Sequence, residues 1–369
     1  MAWKQNIIED FKQLVSFDSI SFHERKTADW LLARLKSMGF SVEEDQAGSH
    51  YGGDTGNIFA VLDGELDGDP VIFCAHMDVV EPGSGKKSVL EKDGTIHSAG
   101  DTVLGADDIS GILEILYGVQ LVLDSGKLHK KIEILFTIGE ELYVKGSDVF
   151  DYSKVTAKQA YVLDLSGAVG AAARRAPSII SVRAEIKGKA AHAGFEPERG
   201  IHAIAVAAEA VTRLSMGHVD EDTTFNIGTI NGGTATNIVP DSCVVTGEIR
   251  SYDHSKALEY VKNTEKIFAE EADKAGATVE VTHQVHLVAY ETPVESRTVK
   301  DFLKACEKTG LPGTLTETFG GSDNNSFAKH GIEGLVLSCG MYQAHSANEY
   351  TKIKDLYDGA ELIRTLIEL

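Results

Sequence analysis

Residues 70–80, PVIFCAHMDVV, decide how the rest of the chain is read. Pro70 to Ala75 is a short, nearly continuous apolar run that stops abruptly at His76 and Asp78. A run of that length suits a strand buried on both faces. On extended backbone residues i and i+2 point the same way, so the imidazole and the carboxylate share a face. Three further runs end similarly: Ile132 to Ile138 before Glu140, Ala160 to Leu163 before Asp164, and Gly334 to Cys339 shortly before His345. Helical patterns at Glu24 to Met38, Asp108 to Leu123 and Val299 to Lys308 lie between or beside these runs, and Gly39 supplies a helix stop. The alternation predicts an α/β fold with a mixed, largely parallel sheet and flanking helices. In open sheets of this kind ligands bind beyond the carboxyl ends of the strands, where all four polar clusters fall.

A different grammar occupies Ser178 to Ala289. Strand-like Ile179 to Ile186 precedes helix-like Ile201 to Leu214, strands Thr224 to Ile230 and Cys243 to Ile249, helix Ser255 to Ala275 and strand Thr278 to Val285. The order βαββαβ is that of a ferredoxin-like unit of ordinary domain size. It reads as an insertion, because the fourth polar cluster follows it. The expected division is a discontinuous first domain, residues 1–174 and 291–369, interrupted by residues 175–290.

Composition narrows the function classes. Against 35 Lys and Arg stand 56 Asp and Glu, a formal net charge of −21, so a nucleic-acid polyanion would be repelled from most of the surface. The longest apolar stretches, such as Ile112 to Leu123, are interrupted by Glu114, Gly118 and Gln120, far short of the ~20 apolar residues a membrane span needs. The opening MAWKQNIIEDFKQLV sets Ile7, Ile8, Phe11, Leu14 and Val15 on one helical face and lacks the apolar core of a signal peptide. A cytoplasmic location is therefore expected. Cys74, Cys243, Cys306 and Cys339 show no CxxC pairing, which indicates neither a disulfide framework nor a thiolate zinc site.

Each polar cluster is ambiguous alone. His76 and Asp78 form a common pair, Asp108 in GADDISG (105–111) reads equally as a helix N-cap, and adjacent acids such as Glu140 and Glu141 often start solvated helices. Together with Asp164 and His345 they assemble imidazoles and carboxylates without thiols, a donor set that suits zinc, with manganese or cobalt as substitutes. A shared carboxylate can bridge two ions about 3.5 to 4 Å apart. Charge favours two: four positive charges balance Asp107, Glu141, Asp164 and Glu140, whereas one ion would leave buried negative charge uncompensated.

The ordered series AHMD (75–78), LGADDISG (104–111), GEE (139–141), LDLSG (163–167) and AHSANEY (344–350), interrupted by the inserted module, resembles the two-zinc exopeptidase family that contains peptidase T, over essentially the whole chain. HMDVVEPGSGKK (76–87) followed by DGTIHSAGDTVLGADD (93–108) is most similar to the peptidase T members. The resemblance implies that Asp107 bridges two metals, that His76 and Asp164 complete one site and Glu141 and His345 the other, and that Glu140 is the general base while Asp78 orients His76. It also implies a cis Asp107–Asp108 peptide. The inserted module becomes a lid and dimerisation domain, with His192 of KAAHAG (189–194) stabilising the oxyanion. Asn237 of GGTATNIVPD (232–241) and Arg250 of GEIRSYD (247–253) would bind substrate, and Gly320, Gly321 and Ser322 of GGSDNN (320–325) match a substrate-side loop. Arginine suits a carboxylate because its planar fork can bind it bidentately.

The expected protein is thus a zinc-dependent aminopeptidase acting on short peptides such as tripeptides. Asp164, where carboxypeptidase and deacylase relatives tend to carry glutamate, resembles the aminopeptidase side. A carboxypeptidase or N-acyl amino acid deacylase on the same site is the alternative. A silent metal-bound peptide binder is more remote, since a binder has no use for an unligated base at Glu140. No nucleic-acid or membrane partner is expected, and a homodimer through the inserted domain is.

Overall fold

The computed structural model describes residues 2–369. Two compact units emerge: one comprises the chain up to Arg175 with Glu291–Thr318 and Ser322–Leu369, the other Ala176–Tyr290 with Phe319–Gly321. In chain order the first unit contributes helices α1 (Ala2–Val15) and α2 (Arg25–Ser37), strands β1 (Ser41–Glu44), β2 (Ile58–Leu62) and β3 (Val71–His76), helix α3 (Ala106–Ser125), and strands β4 (Ile132–Thr137), β5 (Gln159–Leu165) and β6 (Ala171–Ala173). The second unit follows with β7 (Ser178–Lys187), α4 (Ala203–Thr212), β8 (Thr223–Gly232), β9 (Ser242–Ser251), α5 (His254–Ala275) and β10 (Thr278–Leu287). The chain then re-enters the first unit as α6 (Arg297–Thr309), β11 (Thr314–Thr316), α7 (Asp323–Lys329), β12 (Glu333–Ser338) and α8 (Ile353–Ile367).

The first unit is built on an eight-stranded sheet in the order β1-β2-β4-β3-β5-β12-β6-β11. Its four central strands, β4, β3, β5 and β12, run parallel, while β2 and β6 pair antiparallel to their flanks. These four are the apolar runs that end in polar clusters, as their two-sided burial requires. In β3, Phe73 and Ala75 join the layer that holds Phe11, Leu116 and Ile363, whereas Ile72 and Cys74 join the opposite layer with Phe59, Leu135 and Phe327. Both faces are thereby removed from water, and parallel order places all four carboxyl ends on one edge of the sheet.

Helix α3 packs against α1 and α8. At Gly118 the approach is close: a Cβ there would lie 2.6 Å from Ile363. The start of α3 is irregular. Asp107 and Asp108 are non-helical and joined by a cis peptide, and Asp108 Oδ1 accepts from the Gly111 amide at 3.1 Å, capping the regular part of the helix.

The second unit is the ferredoxin-like βαββαβ module. Its strands run antiparallel in the order β8-β9-β7-β10, with Gly217–His218 on the outer edge. Strand β7, SIISVRAEIK, alternates as a one-sided strand should: Ile180, Val182, Ala184 and Ile186 enter a core with Phe225, Ile249 and Phe268. Asp253 caps α5 by accepting from the Ser255 and Lys256 amides at 2.8 and 3.2 Å. All four cysteines are free and buried. Among the described residues no helix is long and apolar enough to cross a membrane.

Candidate metal centre

The carboxyl edge of the sheet gathers side chains that lie far apart in sequence. His76 is the last residue of β3, Asp164 sits near the end of β5, and Glu140 and Glu141 follow β4 by a short turn. Asp107 comes from the irregular start of α3, and His345 from the loop after β12. His76 Nε2 lies 3.0 Å from Asp107 Oδ1 and 3.9 Å from Asp164 Oδ1. His345 Nε2 lies 3.2 Å from Asp107 Oδ2 and 3.0 Å from Glu141 Oε2. Two donor triads result, His76 with Glu140 and Asp164, and His76 with Asp107 and Glu141, each with ligand atoms within 4.8 Å of one another.

Hydrogen bonds aim these groups. His76 Nδ1 lies 2.9 Å from the Asp78 carbonyl oxygen. A carbonyl only accepts, so Nδ1 carries the hydrogen and Nε2 is the nitrogen turned toward the acidic cluster. The Asp78 carboxylate lies farther from that ring, 3.5 Å. It accepts from the Glu140 amide at 2.9 Å, the Glu141 amide at 3.2 Å and the Ser21 hydroxyl at 2.7 Å. Asp78 therefore touches the imidazole mainly through its backbone and holds the glutamate turn with its side chain. Gly139 enters that turn at φ +56°, and its amide donates to Glu24 Oε1 at 3.0 Å.

The electrostatics ask for a cation. Burial, reinforced by Asp164, pushes the Glu140 carboxyl well up; burial, reinforced by Asp107, does the same to Asp164. Burial also raises Glu141. Asp107 alone is drawn below the carboxylate range, because hydrogen bonds from His345 and His76 overcome its burial. Its carboxylate and that of Glu141 in turn lift His345 to about 10. Four carboxylates facing two imidazoles, with each imidazole directing Nε2 at the shared Asp107, match the donor chemistry of a borderline divalent metal.

The other residues singled out in the sequence divide between the two units. His192, Asn237, Arg250 and Gly321 belong to the second unit and Ser322 to the first. His192 is exposed, and its Nδ1 accepts from the Gly194 and Phe195 amides at 3.1 and 3.2 Å, which leaves the hydrogen on Nε2 and makes that atom a donor. Asn237 is its neighbour through backbone: the Ala193 amide donates to the Asn237 carbonyl at 3.0 Å, and His192 bridges Ile238. The Arg250 guanidinium donates to Glu248 Oε1 at 2.6 Å and to the Phe319 carbonyl at 2.7 Å. Gly321 lies against Leu287, whose Cδ1 would be 2.0 Å from an added Cβ. Ser322 is buried and forms a capping box at the start of α7. Glu24 and Glu349, which hold the loops of the cluster, carried no signal of that role; Glu349 stands in the AHSANEY stretch, but its partners are remote in sequence.

A family model of the peptidase dimerisation domain matches residues 176–276, and one of peptidase family M28 matches residues 57–185. The chain is 37% identical over 368 residues to uncharacterized protein YqjE of Bacillus subtilis, across 100% of this chain and 99% of that one. Among solved structures, aminopeptidase PepT from Bacillus cereus is similar at 35% identity with a TM-score of 0.93, across 99% of this chain and 98% of that one. A tripeptidase from Staphylococcus aureus is similar at 31% identity with a TM-score of 0.96, again across 99% and 98%.

Proposed function

The chain belongs to the peptidase T-like branch of the M20 metallopeptidases, and from that premise we propose that it is a two-metal aminopeptidase releasing the N-terminal residue of short peptides, tripeptides above all. The observation that carries the proposal is Asp107, whose two carboxylate oxygens face different imidazoles, Oδ1 toward His76 and Oδ2 toward His345. In this reading Asp107 is shared, His76 and Asp164 complete one site, and Glu141 and His345 complete the other. Zinc is the proposed metal, with manganese or cobalt as substitutes suited to the same donors. When bound, such ions polarise the scissile carbonyl and lower the pKa of water.

The chain's own groups do the rest. Glu140 is the general base: its amide is anchored on Asp78, its carboxyl is raised by burial, and it takes a proton from the attacking water and returns it to the leaving amine. His192, already an Nε2–H donor, stabilises the oxyanion. Arg250 and Asn237 hold the far carboxylate of the peptide, with Gly321 and Ser322 on the substrate side. Aspartate at position 164 and the likeness to an aminopeptidase and a tripeptidase support the polarity. The second unit, which matches a dimerisation domain, is proposed as lid and homodimer surface. A cytoplasmic location is supported by the four unpaired, buried cysteines.

One tripeptide in three forms tests this reading with zinc or manganese added. The unblocked peptide should yield an amino acid and a dipeptide, N-acetylation should abolish cleavage, and C-amidation should weaken it by roughly 1.5 to 3 kcal/mol, the scale of a hydrogen bond to a charged group. Faster cleavage of the acetylated peptide, releasing its C-terminal residue or acetate, would replace the aminopeptidase by a carboxypeptidase or deacylase.

A further inference from the structure

Glu349 is 1% exposed, and its carboxylate is held by three backbone amides. Oε2 accepts from Leu104 at 2.7 Å and Gly105 at 2.8 Å, and Oε1 accepts from Asp107 at 2.9 Å. The last of these amides belongs to the residue whose side chain lies between His76 and His345. Glu349 itself lies four residues after His345, in a loop closed at its base by reciprocal backbone bonds of 3.0 Å between Tyr342 and Tyr350 and by the stacked rings of those residues. His345 is exposed, and its Nε2 meets the carboxylates of Asp107 and Glu141. The buried anchor of that loop is the carboxylate of Glu349.

We propose that Glu349 is a positioning residue that sets the spacing between two metal-ligating segments, residues 104–107 and the loop bearing His345, so that Asp107 and His345 close on one ion together. The proposal rests on the two-metal reading above. Hydrogen bonds from backbone amides to a carboxylate are short and strong. Glutamine cannot replace the carboxylate here: whichever way its amide is turned, the NH2 group faces at least one backbone N–H, donor against donor. Loss of the clamp acts on two of three ligands at the site of Asp107, Glu141 and His345, but on only one at the site of His76, Asp107 and Asp164. The two sites should therefore respond unequally.

The test is metal titration of the apoprotein by competition with a chromophoric chelator, using zinc alone. Glu349→Gln, with a far-UV spectrum and unfolding midpoint like those of the unsubstituted protein, should lose about 10- to 100-fold in affinity in one of two binding steps, the scale seen when an outer-shell partner of a ligand is removed. The other step should change less. Both steps within threefold of the unsubstituted protein would overturn the positioning role. Fewer than two equivalents bound by the unsubstituted protein would instead overturn the two-metal reading. Should Glu349→Gln fail to fold, hydrogen exchange decides on the unsubstituted protein: the Leu104, Gly105 and Asp107 amides should be strongly protected, more so with zinc, and rapid exchange at all three would refute the clamp.

Discussion

Glu140→Gln keeps the size of the residue and its backbone bond to Asp78 but cannot accept a proton. Metal content should persist while turnover falls at least ~10²-fold, the lower end for general acid-base catalysis; near-normal turnover in the metal-loaded variant would contradict the assignment. Glu24 supplies a pH dependence. Burial, reinforced by Asp78, raises its carboxyl from 4.5 to about 8, and Oε2 has no hydrogen-bond partner while Oε1 accepts from Phe22 and Gly139. The folded protein thus keeps a proton that the unfolded chain has released between these values, so the contribution of Glu24 to stability is full below pH 4.5 and is lost as pH rises through 8. Glu24→Gln removes that titration. In metal-free protein its stability relative to Glu24 should improve by roughly 2 to 4 kcal/mol between pH 5 and pH 8.5, measured by urea unfolding. A difference independent of pH would show that Glu24 does not titrate in this range. The residue types of the cluster were legible at strand ends, whereas the oxygen of Asp78 that meets His76 was not, because the HxD pattern reads the same for either.

Helix α3 carries the start of the cluster at one end and packs against α8 along its length. Gly118→Ala would force a Cβ to within 2.6 Å of Ile363 and 2.9 Å of the Ala360 carbonyl. Overpacking of this kind costs about 1 to 3 kcal/mol, so the urea midpoint should fall with the slope unchanged. An unchanged midpoint would mean that α3 and α8 separate at little cost. The principal elements of both units were readable. The helix expected at Glu24 to Met38 spans Arg25–Ser37, and the strand expected at Ile179 to Ile186 spans Ser178–Lys187, since a dozen residues of helical pattern or the alternation from Ile180 to Lys187 carry their period plainly. Strands such as Ala171–Ala173 and Thr314–Thr316 had no such signal, because three residues hold too little of any period and exist as strands only through pairing with their neighbours in the sheet.

Across the molecule, the proposed chemistry draws on both units, with His192 from the second and the metal ligands from the first. His192→Ala should lower kcat while leaving metal affinity within about threefold, and an equal loss of both would refute an oxyanion role. Mixing that variant with Glu140→Gln protein separates the routes of delivery: recovered activity in mixed dimers means that the histidine acts across subunits, and none means action within one chain. The sequence by itself determined the α/β class, the inserted βαββαβ module and the kinds of donor at the strand ends, because apolar periodicity and side-chain chemistry are properties of short segments. Tertiary structure alone decided that β4 lies between β2 and β3, that Asp107 faces two imidazoles at once, and that Glu349 reaches an amide 245 residues away. Such pairings depend on how distant segments meet once the apolar runs have been buried, and no local pattern of residues encodes that geometry.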